Sequence, residues 1–112
     1  MRILFTAQGP DWDSQIDPRF GRAGYLVVYD ENKQELTALN NEAVKDVEHG
    51  AGTATAQRVF GIKPDILITG IGPGSTASSI LKKLGLKIYI HADGLSLKEA
   101  YEQYVSGKLE LL

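Results

Sequence analysis

Asp65-Ile66-Leu67-Ile68-Thr69-Gly70-Ile71-Gly72-Pro73-Gly74-Ser75-Thr76-Ala77-Ser78-Ser79-Ile80-Leu81 passes from an apolar run through a glycine-rich turn to a helix-period pattern. Ile66 to Ile68 lacks polar alternation, so the run predicts a strand buried on both faces, as in a parallel sheet covered by helices. Ala77, Ile80, Leu81 and Leu84 recur at the spacing of one helical face, and Gly85 is placed to end that helix in a left-handed conformation. The glycines at 70, 72 and 74 let the backbone approach another group closely. The free N–H groups at the following helix start carry a partial positive charge that suits an anion. Gly-Pro-Gly is equally readable as a tight turn and no more.

Outward from this stretch, the 112 residues fit one domain spanning 1–112, with 43% hydrophobic and 23% charged residues typical of a soluble globular chain. A formal net charge of -2 offers no general attraction to a polyanion, which disfavours nucleic acid. The absence of cysteine excludes disulfides, thiolate nucleophiles and thiolate metal ligands, leaving His, carboxylate, hydroxyl or backbone groups for any metal. Met1 to Thr6 runs at once into a strand pattern with no signal-peptide core, and no segment approaches a membrane span, so a cytoplasmic location is expected.

Ile3 to Ala7 predicts a buried first strand broken by Gly9-Pro10. Gln8 to Gly24 is then a long loop, and its Trp12, Ile16 and Phe20 argue that it is packed rather than free. Tyr25 to Tyr29 and Glu35 to Leu39 predict a hairpin across the polar turn at Asp30 to Lys33. After a polar segment, His49-Gly50-Ala51-Gly52 leads through small residues into a helix with Val59 and Phe60, closed by Gly61 and Pro64. Lys87 to His91 predicts a strand with Ile88 and Ile90 on one face. Ser96 and Glu99 form a capping box for a last helix whose apolar face runs through Ala100, Tyr101, Tyr104 and Val105. The tail Lys108 to Leu112 alternates weakly and reads as a short extra strand or a packed end.

The expected order β1-β2-β3-α1-β4-α2-β5-α3 builds an α/β fold, a mixed five-stranded sheet with helices on both faces. Its topology resembles the ribonuclease H-like arrangement, a likeness of shape. In that arrangement the loops at Gln8 to Arg22, Asn40 to Gly50, Gly70 to Ser75 and His91 to Ser96 leave one carboxyl-end edge of the sheet, where open α/β sheets bind ligands.

Three constellations could carry chemistry. Asp17-Pro18-Arg19-Phe20-Gly21-Arg22 sets two planar, always-charged donors beside an aromatic and a glycine, which suits an oxyanion or a negative cluster. The competing reading is two solvated arginines paired with Asp17 or Asp13. His49 precedes a helix start nearly free of side chains and could offer an imidazole nitrogen to a metal, or be an exposed loop histidine. His91, before Asp93-Gly94, reads as making an orienting hydrogen bond inside an ordinary turn. There is no HExxH or GxSxG motif, and His49 has no sequence-local triad partner. The first strand lacks the clustered carboxylates of two-metal nucleases. The glycine loop is neither a Walker A loop nor a dinucleotide fingerprint.

Taken in order, Asp17-Pro18-Arg19-Phe20-Gly21-Arg22, His49-Gly50-Ala51-Gly52 and Gly70-Ile71-Gly72-Pro73-Gly74 resemble the signature of the dinitrogenase iron-molybdenum cofactor biosynthesis family, over nearly the whole chain. The resemblance implies a small non-catalytic, nitrogenase accessory-like protein that transiently binds or carries an iron-sulfur or iron-molybdenum cluster precursor among metallocluster assembly proteins, as a monomer or weak homodimer. Carried over residue by residue, it matches Phe20, Gly21 and Arg22 to the family's loop, His49 and Gly50 to its histidine-glycine turn and Gly72 and Pro73 to its late loop. The chemistry of the residues adds Arg19, the helix-start N–H groups near Gly52 and Gly74, and a His49 imidazole as metal ligand at the same cofactor-binding edge. One position departs from the family pattern. Many members have His-Phe-Gly-Arg where this chain has Arg19-Phe20-Gly21-Arg22, a cation that cannot ligate in place of a potential ligand. A metal-free module for a phosphate- or carboxylate-bearing metabolite, and a protein-interaction domain, are the alternatives.

Overall fold

The computed structural model describes residues 1–42 and 51–112. Its elements are β1 (Arg2–Ala7), β2 (Tyr25–Asp30), β3 (Glu35–Asn40), α1 (Ala51–Ile62), β4 (Ile66–Ile68), α2 (Ser75–Lys83), β5 (Lys87–Ile90), α3 (Leu97–Val105) and β6 (Glu110–Leu111). The sheet order is β3-β2-β1-β4-β5-β6. β1, β4 and β5 run parallel, while β2 is antiparallel to both β1 and β3, and β6 is antiparallel to β5.

The apolar run at 66–68 lies beside β1 in the middle of the sheet because both its faces are covered. Leu67 joins a core with Ala56 and Val59 of α1 and Ala77 and Leu81 of α2. Ile66 and Ile68 join a second core with Leu97 and Ala100 of α3, so helices cover both faces as the pattern predicts. Burying three such side chains contributes roughly 5–8 kcal/mol before the entropy of ordering them is subtracted. Ile88 and Ile90 share the first core and Tyr89 packs against the second, as period-2 alternation requires.

Among the described residues the sheet has six strands, which corrects the expected five. Glu110 and Leu111 pair with Ile90 and Tyr89, and the Leu112 N–H donates to the Ile88 carbonyl at 2.8 Å. A two-residue edge strand has too little sequence to alternate, so pairing alone makes it a strand. Two apolar residues also lie off their expected faces: Phe60 is 58% and Val105 64% exposed.

Helix ends follow their local chemistry. α2 stops at Leu84, and Gly85, at φ +74°, donates its N–H to the Lys82 carbonyl. At α3 the Ser96 hydroxyl accepts from the Glu99 N–H, and the Glu99 carboxylate accepts from the Ser96 N–H. These bonds, the backbone one foremost, hold the Glu99 carboxyl below the usual carboxylate range.

The long loop is packed, as its apolar residues predict. Trp12 stands edge-on to Phe5 and Tyr29 and tilted against Tyr101. The Tyr101 hydroxyl donates to Glu31 at 2.6 Å, and this bond, with partial burial, pushes the phenol up to about 12. Burial likewise raises Tyr104. No helix among the described residues is long and apolar enough to cross a membrane.

Candidate functional site

The parallel strands β1, β4 and β5 end together at Ala7, Ile68 and Ile90. The loop after β1 doubles back on it: Gln8 N–H donates to the Gln15 carbonyl and Asp17 N–H to the Thr6 carbonyl, both at 2.9 Å. The first half of this loop is tied to the start of α3, since Leu97 N–H donates to Ser14 and Lys98 N–H to Trp12. The second half, Asp17 to Arg22, is thereby laid across the carboxyl edge.

Asp17 is the buried anchor of that half. It is 3% exposed, and its Oδ1 accepts the Arg19 N–H at 2.9 Å and lies 3.6 Å from Arg19 Nε. Thr6 Oγ1 donates to the Asp17 carbonyl at 3.3 Å and shares a 2.7 Å hydrogen bond with Thr69 Oγ1, which ties β1 to the exit of β4. Pro18 then rests on Gly70, where an added Cβ would run into the Pro18 backbone, and the Ile71 N–H donates to the Pro18 carbonyl at 2.7 Å. Gly70 is glycine because another backbone occupies the place of a side chain.

Thr55 and Asn41 hold the far end of the loop. Thr55 Oγ1 donates to the Gly21 carbonyl at 3.3 Å, and Asn41 Nδ2 donates to the Ala23 carbonyl at 2.9 Å and to Thr55 Oγ1 at 3.3 Å. Asn41 is fully buried, and among the described residues no partner bonds its Oδ1. Sequence reading singled out none of Thr6, Thr69, Thr55 or Asn41. Each is a common residue type whose partner lies far along the chain, so the local pattern carries no signal for it.

The expected site residues divide. The Arg19 side chain is 61% exposed yet leans on Asp17, so the solvated-pair reading describes part of its geometry. Phe20, 2% exposed, is a core residue that pins the loop rather than a surface that meets a ligand. Gly21 and Arg22 are half-buried. Gly52 lies inside α1, where a Cβ would make ordinary contact with Ala77 of α2 at 3.7 Å, so it faces a helix and not the loop edge. Gly72 has φ +106° and a Cβ there would press on Ile90. Pro73 accepts a hydrogen bond from Ser78 Oγ, and Gly74 is the N-cap of α2, with no side-chain cap and no acidic residue in the first turn. His49 and Gly50 lie outside the described residues. His91 makes no local turn bond with its ring; its Nδ1 reaches Glu110 Oε1 on β6 at 3.0 Å.

The described part of the edge therefore combines an exposed guanidinium at Arg19, the side-chain-uncapped start of α2 and the glycine-rich turn from Gly70 to Gly74, from which Ile71 projects 67% exposed. Among the described residues no group of three or more His, Asp or Glu side chains is placed to hold a metal ion. This donor set fits an anion held by charge and N–H groups, and does not fit a metal caged by side chains.

A family model described as "Dinitrogenase iron-molybdenum cofactor" matches residues 1–107. Among solved structures, the apo form of the orange protein from Desulfovibrio gigas is 33% identical with a TM-score of 0.92, covering 99% of this chain and 92% of that one. A Thermotoga protein, described as NifB-like and of the DUF35 family, is 29% identical with a TM-score of 0.84, covering 99% of this chain and 92% of that one. A third protein, known from a crystal structure and 24% identical with a TM-score of 0.77 over 99% of this chain and 94% of its own, shares the fold. No curated protein matches.

Proposed function

The chain belongs to the dinitrogenase iron-molybdenum cofactor family, and from that premise we propose that it is a non-catalytic accessory protein that takes up, holds and releases an anionic iron-sulfur or iron-molybdenum cluster precursor during metallocofactor assembly. The observation that carries the reading is the Asp17 to Arg22 loop folded over Gly70, which sets the exposed Arg19 guanidinium on the loop edge that runs into the start of α2 at Gly74. A sulfide-bridged cluster is a large, diffuse anion, and such an anion is stabilised by planar guanidinium donors and by helix-start N–H groups without a ligand cage. Arg22 and the N–H groups of Gly72 and Gly74 complete the cationic rim, and His49 supplies a single nitrogen ligand. A hold of this kind is weak, and weakness suits handover to larger metallocluster assembly proteins. The protein acts as a single cytoplasmic domain of ribonuclease H-like shape, as a monomer or weak homodimer, without nucleic acid or membrane.

Arg19, a cation where many family members have a potential ligand, favours one second reading: a metal-free module for a small carboxylate or phosphate metabolite at the same edge. Anaerobic titration with a synthetic iron-sulfur cluster, followed by visible absorbance and protein-bound iron, separates the two. The carrier reading expects stoichiometric uptake that weakens about tenfold in Arg19→Ala, the loss of one charge-assisted contact, and weakens in His49→Ala. A folded wild-type protein that binds no iron refutes it and leaves the metal-free reading, which citrate and inorganic phosphate titrations then address.

A further inference from the structure

His91 stands at the carboxyl end of β5, on the edge already described, and nothing in the family signature involves it. Its backbone is left-handed at φ +64°, a region that non-glycine residues seldom occupy, though histidine does so more readily than most. Two backbone bonds just beyond the ends of β4 and β5 hold it there: the His91 N–H donates to the Gly70 carbonyl and the Ala92 N–H to the Thr69 carbonyl. Gly70 is thus gripped from both sides, by Pro18 from the loop after β1 and by His91 from the exit of β5.

The ring is oriented as well as the backbone. His91 Nδ1 lies 3.0 Å from Glu110 Oε1, and both side chains are 60% exposed. An ionised carboxylate only accepts, so the neutral imidazole carries its proton on Nδ1 and presents the lone pair on Nε2. Among the described residues no partner engages Nε2. A carboxylate bonded to one ring nitrogen, with the other left open, is the arrangement that fixes the tautomer and raises the basicity of a metal-ligating histidine. The sixth strand, which pairs Ile90 with Glu110, is what brings that carboxylate to the ring.

We infer that His91 Nε2, oriented by Glu110, is a nitrogen ligand for one metal of the cluster precursor, opposite the Arg19 loop on the same edge; this rests on the carrier reading above. Nε2 donates its lone pair to a metal that gives up one exchangeable terminal ligand, and that ligand leaves with its own electron pair, so no redox change is involved. Arg19 and the N–H groups then attract the anion while His91 anchors it at one atom, which supplies from β5 the neutral ligand that the Arg19 position lacks.

The test uses the full chain, labelled with 15N at histidine and loaded anaerobically with a synthetic [4Fe–4S] cluster carrying exchangeable thiolates, then reduced to its paramagnetic state for pulsed electron paramagnetic resonance. A histidine 15N coupling is expected in the wild type and retained in His49→Ala, where His91 is the one histidine left, and lost when His91→Asn, a replacement that tolerates the left-handed backbone and lacks the imidazole, is added to His49→Ala. Glu110→Gln is expected to keep the coupling while weakening uptake about tenfold. A coupling absent from loaded His49→Ala overturns the assignment and leaves the carrier reading standing. Failure of the wild type to take up cluster overturns both.

Discussion

Substituting Gly70 by alanine tests whether the loop edge is built by contact between two backbones. The added Cβ would meet Pro18 Cα at an impossible distance and lie 2.9 Å from the Pro18 oxygen and 3.0 Å from its carbonyl carbon. These are backbone atoms of a proline segment anchored by buried Asp17, so they cannot swing aside as a side-chain tip does. The φ of Gly70 is outside the left-handed range, so alanine carries no conformational penalty there and the whole cost is steric. Overpacking contributes about 1–3 kcal/mol, and loss of the Ile71 to Pro18 hydrogen bond about 1 more. The expected loss is therefore roughly 2–4 kcal/mol, on the order of 10 °C in melting temperature for a chain of this length. Gly74→Ala is the control, since nothing lies within 4 Å of its added Cβ; its cost should stay below about 1 kcal/mol, the ordinary penalty of alanine at an N-cap. Urea unfolding gives the stabilities, and amide hydrogen exchange at Ile71 shows whether the Pro18 carbonyl has moved off. A Gly70→Ala protein with wild-type stability and a protected Ile71 amide would refute the reasoning.

The buried hydroxyl pair makes an ordered prediction. Thr69→Val removes one partner of Thr6 and should cost about 1 kcal/mol, whereas Thr6→Val also deprives the Asp17 carbonyl of its donor and should cost about 2; a reversed order in urea unfolding would contradict the hydrogen-bond directions. Tyr101 governs an alkaline limb. Its pKa rises on folding from 10.0 to about 12, so the stabilisation is complete below pH 10 and is lost as pH rises towards 12. Because the phenol is partly open to solvent, Tyr101→Phe should be less stable by about 1 kcal/mol at neutral pH rather than the larger figure the shift implies, and the difference should vanish by pH 12. Unfolding curves at pH 8 and pH 12 with an unchanged gap would rule out this role for the Glu31 bond.

Interactions between near neighbours in the chain were legible without coordinates. The apolar run Ile66 to Ile68 announced a strand covered on both faces, Ser96 and Glu99 announced a helix start, and Gly85 announced a helix end, because each depends on residues within a turn or two of one another. Trp12, Ile16 and Phe20 showed that the long loop had apolar side chains to bury, which is a statement of composition and holds wherever they go. The arginines and glycines of the edge were visible as residue types suited to an anion.

Which of those residues meet, and which merely support, was decided by tertiary structure. Phe20 sits inside the same motif as Arg19, but the loop turns over Asp17 and sends the ring to the core and the guanidinium to solvent. Gly52 and Gly70 look alike in sequence, yet one faces a neighbouring helix and the other another backbone. Thr6 finds Thr69 across 63 residues, and His91 finds Glu110 only because a two-residue strand closes the sheet beside it. Propensity and periodicity are set by local sterics and solvent, so they survive in the sequence; a contact between distant segments exists only after chain entropy has been overcome by burial elsewhere, so its record is in the packed sheet and not in the order of the residues.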